Sequence, residues 1–118
     1  MPSVVKSIKE EDAMYEPMRT VFDKMPWERP APGVRFKAVD REGTRLRLVE
    51  FTDEFVEREW CTKGHVGYVL EGTLELSFAH ATLRLSAGQG VFILAGEAEK
   101  HKVKVVGEEA RLILVERI

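Results

Sequence analysis

The chain has 118 residues, 44% of them hydrophobic and 32% charged, with a formal net charge of −2 at pH 7. This length is typical of one domain with a core of its own, and the slightly acidic balance argues against nucleic acid, which selects a basic face. No apolar run approaches the roughly 18 residues that a membrane span needs, and the N-terminus lacks the apolar core of a secretory signal. The single cysteine excludes an internal disulfide. We therefore expect a cytoplasmic protein that has neither nucleic-acid nor membrane partners.

Residues 1–32 differ in composition and hydrophobic pattern from the rest of the chain. Four prolines between Pro17 and Pro32 prevent a long helix or a central strand in this segment. Apolar side chains such as Tyr15, Phe22 and Trp27 are nevertheless too frequent for a disordered tail. We predict that residues 1–32 form a mostly irregular arm that packs on the main domain or on a neighbouring subunit.

From residue 33 to residue 118 the hydrophobic period is two, which indicates strands. Turn signals such as residues 40–43 and 87–90 separate about eight to nine short apolar-polar segments. Such spacing without a convincing helix predicts an all-β antiparallel sandwich or barrel. Within it, we expect Leu46 and Leu48 to face inward, which would leave Arg45 and Arg47 outside.

Residues 59–76 have the pattern of a strand and also contain residue types that can bind a metal. We expect a strand, a tight turn at Gly72 and a second strand with alternating apolar positions. Ahead of that turn lie Glu59, Cys61 and His65, three residue types that bind metals. They differ by even steps, so their side chains share one face if the segment is extended.

Residues 69–76 (VLEGTLEL) and 85–96 (LSAGQGVFILAG) resemble the two motifs of the cupin family. Cupins are double-stranded β-helix (jelly-roll) barrels, so the resemblance implies that fold for residues 33–118. The first cupin motif carries two histidines, a glutamate and a glycine, and the second carries a third histidine. Aligned on Gly72, His65 takes the glutamate position and Cys61 and Glu59 take the histidine positions.

The second motif leaves two candidates for the third histidine position. Glu99 falls at the family spacing after Gly96, and His101 follows two residues later with the same strand parity. The resemblance therefore implies a metal centre inside the barrel, whose candidate ligands are His65, His101, Cys61, Glu59 and Glu99. Nitrogen, sulfur and oxygen donors together suit zinc, iron, copper or nickel, whereas a thiolate disfavours magnesium and calcium.

Two functions remain open at this point. The first is a small cupin that binds a divalent transition metal and acts on a small polar metabolite, such as a sugar or an organic acid. The second is a metal-free binding or regulatory module whose metal centre has decayed, because the usual histidine pair and glutamate are absent. Cys61 would then be a buried hydrophobe or a reactive thiol. The resemblance also implies a homodimer, and no residue receives a catalytic role.

Overall fold

The computed structural model describes residues 13–118, which form an antiparallel β-structure with short 3-10 turns. The turns span Glu16–Met18, Phe22–Lys24 and Glu97–Glu99. The strands are β1 (Glu28–Ala31), β2 (Val34–Arg41), β3 (Thr44–Thr52), β4 (His65–Ser77), β5 (Thr82–Ser86), β6 (Gly90–Ile93) and β7 (Lys102–Arg117). The predicted all-β jelly-roll is confirmed. No helix among residues 13–118 is long and apolar enough to cross a bilayer.

Two long strands join the parts of the sheet. The strand order is β1-β2-β3-β7-β4-β5, and β6 also pairs with β4. The C-terminal half of β7 pairs with β3 on one side and with the start of β4 on the other, whereas its N-terminal half pairs with the end of β4. Each long strand absorbs two of the predicted short segments, so the described residues contain seven strands and not eight or nine.

The tight turn predicted at Gly72 is wrong, because β4 continues from His65 to Ser77. Gly72 has a positive φ of 80°, and the register between β4 and β7 shifts on either side of Glu71. A Cβ at Gly72 would lie 2.3 Å from the carbonyl oxygen of Glu109. The glycine therefore marks a β-bulge that lets β4 bend against β7.

We expect Gly72→Ala to destabilise the fold by roughly 3 kcal/mol or more, because it adds both backbone strain and a backbone clash. Gly43→Ala is the matched control, since Gly43 also has a positive φ, of 75°, but a Cβ there meets nothing within 4 Å. Urea unfolding of the two variants measures the difference. Equal losses of unfolding free energy would show that the close approach to Glu109 is unimportant.

The inner face of the barrel follows from the strand register. Val49 is buried and pairs with Leu112, and Arg47 lies two residues earlier on the same face, paired with Leu114. The expectation that Leu46 and Leu48 face inward is therefore wrong. Arg47 is kept inside because it has a buried carboxylate partner, which the pattern of β3 alone does not reveal.

Part of the N-terminal arm lies against the outer face of β2. The Trp27 ring is 4.0 Å from the Arg35 guanidinium and 4.6 Å from Lys37 Nζ. Lys37 Nζ also donates a hydrogen bond of 2.7 Å to the Phe22 carbonyl oxygen. These contacts are cation–π and charge-assisted interactions within one chain. The arm's boundary at residue 32 stays a prediction, and residues 1–12 lie outside the described part.

Candidate metal centre

Backbone pairing brings two distant segments of the chain together. Cys61 and His101 form an isolated antiparallel bridge, with N–H···O distances of 2.9 and 3.0 Å. His65 begins β4 four residues after Cys61, and its Nε2 lies 3.6 Å from Cys61 Sγ. The potential ligand atoms of Cys61, His65 and His101 all lie within 4.8 Å of one another. A thiol and two imidazoles therefore converge on one point.

Each imidazole is oriented by an acceptor at its Nδ1. The Nδ1–H of His65 donates to Glu116 Oε2 at 2.7 Å, and the Nδ1–H of His101 donates to the Glu99 carbonyl oxygen at 3.0 Å. An ionised carboxylate and a carbonyl accept hydrogen bonds but do not donate them, so both protons belong on Nδ1. Both Nε2 lone pairs are then free to bind a metal, and the acceptors are the kind of partners that orient metal-binding histidines.

Glu116 is held in place from its other side by Arg47. The Arg47 guanidinium donates to both carboxylate oxygens, with distances of 2.5 Å from Nε and 2.8 Å from Nη2. Burial acts to raise the pKa of Glu116, but the hydrogen bonds from His65 and Arg47 outweigh it and lower the pKa to about 2. Glu116 is therefore ionised at neutral pH, and Arg47 balances its charge.

Two predicted ligands lie outside the group. The Glu59 side chain is exposed. The Glu99 carboxylate accepts a hydrogen bond of 3.0 Å from the Leu94 amide, while its carbonyl orients His101. His101 itself is only 3% exposed. The structure thus brings together Cys61, His65 and His101, and the role of all five residues as ligands remains a prediction.

The geometry suits a four-coordinate metal. Bonds of about 2.3 Å to sulfur and about 2.0 Å to nitrogen in a tetrahedron set the ligand atoms about 3.5 Å apart. The 3.6 Å between Cys61 Sγ and His65 Nε2 matches this spacing. Three protein donors would leave one coordination position for water or a substrate atom.

The group lines a cavity of about 940 Å³ inside the barrel. Apolar side chains from β2, β3, β4, β6 and β7 form most of its wall, including Phe36, Phe51, Leu74, Ile93 and Leu114. Arg47, Glu116 and Glu57 also reach it. An open coordination position would therefore face a space that is large enough for an organic molecule and is partly open to solvent.

No family model matches this sequence, and no curated protein matches it either. Solved structures do. KdgF from Halomonas sp. superimposes with a TM-score of 0.68 at 21% identity, covering 82% of this chain and 91% of that one. An RmlC-like cupin from Shewanella frigidimarina gives 0.67 at 15% identity, covering 83% and 87%. A cupin-2 domain containing protein from the same organism gives 0.63 at 22%, covering 89% and 99%.

The chain has the cupin fold. The resemblance found in residues 69–76 and 85–96 is thereby confirmed at the level of the fold. Of the residues that the motif spacing singled out, Cys61, His65 and His101 lie together, whereas Glu99 lies outside their group.

Sequence reasoning missed Glu116 and placed Arg47 outside the barrel. Glu116 lies beside His65 only because Val115 pairs with Val66, and this register between β7 and β4 is not encoded in either segment alone. Arg47 joins them because β3 pairs with the other edge of β7. The one available signal was the occurrence of charged residues on strands that otherwise alternate cleanly.

Proposed function

We propose that this cupin-fold protein binds one divalent transition metal through Cys61, His65 and His101 inside the barrel. The observation that carries the proposal is the orientation of the two histidines. Each Nδ1–H is already used by a protein acceptor, which leaves both Nε2 lone pairs available, and His65 Nε2 lies 3.6 Å from Cys61 Sγ. The same three residues would be an unusual choice for an apolar wall, because His101 is only 3% exposed and its Nε2 has no hydrogen-bond partner among residues 13–118.

The donor set favours zinc, iron, copper or nickel, since a thiolate and two imidazoles are borderline to soft ligands. Bound there, the metal would supply Lewis acidity to an oxygen of water or substrate. Arg47, Glu116 and the Glu99 carbonyl would keep the imidazoles in place. A small polar metabolite remains the substrate class that the sequence suggests, and the protein's own residues single out no reaction.

A metal-free binding module is the second candidate, and one contact favours it. The Cys61 thiol is within 3.6 Å of His65 Nε2, so an S–H···N hydrogen bond can satisfy both groups without a metal. The cavity would then bind a small ligand without chemistry at Cys61.

Elemental analysis of untagged protein purified without chelator tests the choice. We expect near-stoichiometric zinc, iron, copper or nickel, and a lower melting temperature after dialysis against EDTA, because metal binds the folded state. Apo protein should take up one equivalent of zinc in a competition titration. Absence of metal together with no uptake would favour the metal-free module.

We also propose a homodimer, in which the apolar outer face of the sheet meets a second copy. Adjacent strands place Val115, Val66 and Phe92 side by side, and Tyr68 lies next to Ile113. Val66, Tyr68, Phe92 and Val115 are each at least 40% exposed. This uncharged strip finds its best complement in a copy of itself across a two-fold axis.

Light scattering after size exclusion should give twice the monomer mass for the wild type. Tyr68→Glu should give a monomer, since a carboxylate at the centre of the strip would be buried without a partner. His80→Glu, in the exposed turn between β4 and β5, is the control and should remain dimeric. A monomeric wild type at micromolar concentration would refute the proposal.

A further inference from the structure

We infer that the cavity takes an amphipathic organic anion, with one acidic head at the Cys61–His65–His101 group and a bulky apolar body along the barrel interior. The head-group half of this inference rests on the proposed metal. The apolar half rests on the wall of the cavity alone. The sequence suggests a small polar metabolite such as a sugar or an organic acid. The inferred ligand is also an acid, but its body is apolar.

Apolar side chains from β4, β5 and β7 form much of the cavity wall. Leu74, Leu76 and Leu85 line it from β4 and β5, and they are 2%, 4% and 7% exposed. Leu112 and Leu114 line it from β7 and are 4% and 5% exposed. These side chains cannot form hydrogen bonds, so they stabilise a bound ligand only by burying its apolar surface.

Aromatic side chains extend the apolar wall across β2 and β3. Phe36 and Phe51 both line the cavity, and Phe51 contacts Phe55 with ring centroids 5.1 Å apart. Rings of this kind contribute large apolar surfaces that suit an aliphatic or aromatic ligand body.

Four of the six charged side chains that line the cavity are engaged by protein partners, whereas Lys63 and Arg117 have no ion-pair partner among residues 13–118 and suit an acidic ligand. Arg47 and Glu116 neutralise each other, as described above. Glu57 Oε1 accepts a hydrogen bond of 2.9 Å from the Val103 amide. Arg45 donates to both oxygens of Asp40, at 2.7 and 2.9 Å. A ligand with many hydroxyls would therefore leave most of them unpaired, and each one would weaken binding roughly 5- to 100-fold.

The metal group itself selects the head of the ligand. A divalent cation with one thiolate and two neutral imidazoles carries a net charge of +1, so one carboxylate neutralises it. The volume selects the body. At about 940 Å³ the cavity lies at the upper end of the range for drug-sized ligands. A head group alone would leave most of this space beside hydrocarbon, filled with water that has few partners.

Calorimetric titration of zinc-loaded protein with hexanoate, octanoate, decanoate and gluconate tests the inference. Each added methylene should tighten binding up to about fourfold, so decanoate should bind on the order of a hundredfold more tightly than hexanoate. Gluconate should bind more weakly than any of the three. Affinity that is independent of chain length, or gluconate binding at least as tightly as decanoate, would overturn the inference.

Variants locate the apolar body. Val103 and Leu76 both line the cavity. Val103→Phe and Leu76→Phe each add volume to the wall, so they should reduce the gain from hexanoate to decanoate at least tenfold while leaving hexanoate binding within about threefold. Val103 is only partly buried and offers the more tolerant site if Leu76→Phe does not fold. Leu83→Phe, at a position of β5 that is 49% exposed and does not line the cavity, should leave the chain-length series unchanged. An unchanged series in Val103→Phe would place the body outside the cavity and refute the inference.

Two further measurements separate this inference from the proposed metal. Zinc content is determined on each titrated sample, and 1-octanol, which has no acidic head, is titrated into EDTA-treated protein. Octanol binding in protein that takes up no zinc would support the apolar cavity and refute the metal. Stoichiometric zinc with no chain-length dependence would support the metal and refute the apolar body.

Discussion

Replacing His65 or His101 by alanine is expected to weaken zinc binding by a factor of tens to about a thousand. Each substitution removes one of three protein donors from a group whose ligand atoms lie within 4.8 Å. A four-ligand zinc site in a small domain is worth about 10–16 kcal/mol, so losing one ligand costs about 2–4 kcal/mol, or a factor of tens to about a thousand in affinity. Competition with a chromophoric chelator measures that loss directly.

Cys61→Ser distinguishes the thiolate from the two imidazoles. Cobalt(II) bound by a thiolate shows a sulfur-to-metal charge-transfer absorption, which we expect in the wild type and not in Cys61→Ser. Zinc affinity should fall as well, because a serine hydroxyl is a much poorer ligand at neutral pH. The band provides a readout that a general loss of stability does not mimic.

His80→Ala and Glu59→Ala are the controls for this prediction. His80 and Glu59 are exposed and outside the metal-binding group, although both are ligand-competent residue types. Neither variant should change zinc affinity more than about twofold. If His65→Ala and His101→Ala also kept full zinc affinity, the centre would lie elsewhere in the chain.

The barrel itself was predictable because its signals are local. Alternation such as Val34, Phe36 and Ala38 against Arg35 and Lys37 is typical of a strand with two different faces, and the glycine-rich turns separate such segments. In the structure Val34 and Phe36 line the cavity, while Trp27 covers Arg35 and Lys37 on the other face. What alternation does not reveal is whether two segments continue through a bend. Gly72 is typical of a turn, yet the contact that requires it is the backbone of β7, far away in sequence.

The metal group was only partly predictable, for a related reason. Cys61 and His65 are four residues apart, so their proximity follows from local chain geometry. His101 joins them through a backbone bridge to Cys61, which family spacing could indicate only to within two residues. Glu116 and Arg47 depend on the register of β7 against both neighbours, and a shift of one residue would turn both side chains outward. Their charge made them resemble surface residues.

Glu116 gives the second large expected effect, which acts on both stability and metal affinity. Its pKa of about 2 in the folded protein lies below the ordinary value of 4.5. A lowered folded-state pKa stabilises the fold fully above the unfolded-state pKa, and that stabilisation is lost as the pH falls from about 4.5 toward 2. The shift corresponds to about 2–3 kcal/mol for a largely buried group.

Urea unfolding of EDTA-treated protein between pH 6 and pH 2.5 measures this contribution. The wild type should lose about 2 kcal/mol more of its unfolding free energy over that range than Glu116→Gln, because glutamine does not titrate. At pH 7 the variant should itself be less stable by roughly 2–4 kcal/mol, since Arg47 keeps its charge without a counter-ion. Parallel pH curves for the two proteins would contradict the lowered pKa.

Metal affinity separates orientation of His65 from stability in general. Glu116→Ala removes the acceptor for His65 Nδ1–H and should weaken zinc binding about 10- to 100-fold, whereas Glu116→Gln keeps a carbonyl acceptor and should lose less.

Glu50→Gln is the matched control for this prediction. Burial acts to raise the pKa of Glu50, but hydrogen bonds from Arg35 and Arg111 lower it overall. Glu50 lies outside the metal-binding group, so its variant should lose stability and keep zinc affinity. Equal zinc affinities for Glu116→Ala and Glu50→Gln would mean that Glu116 serves the fold alone and does not orient His65.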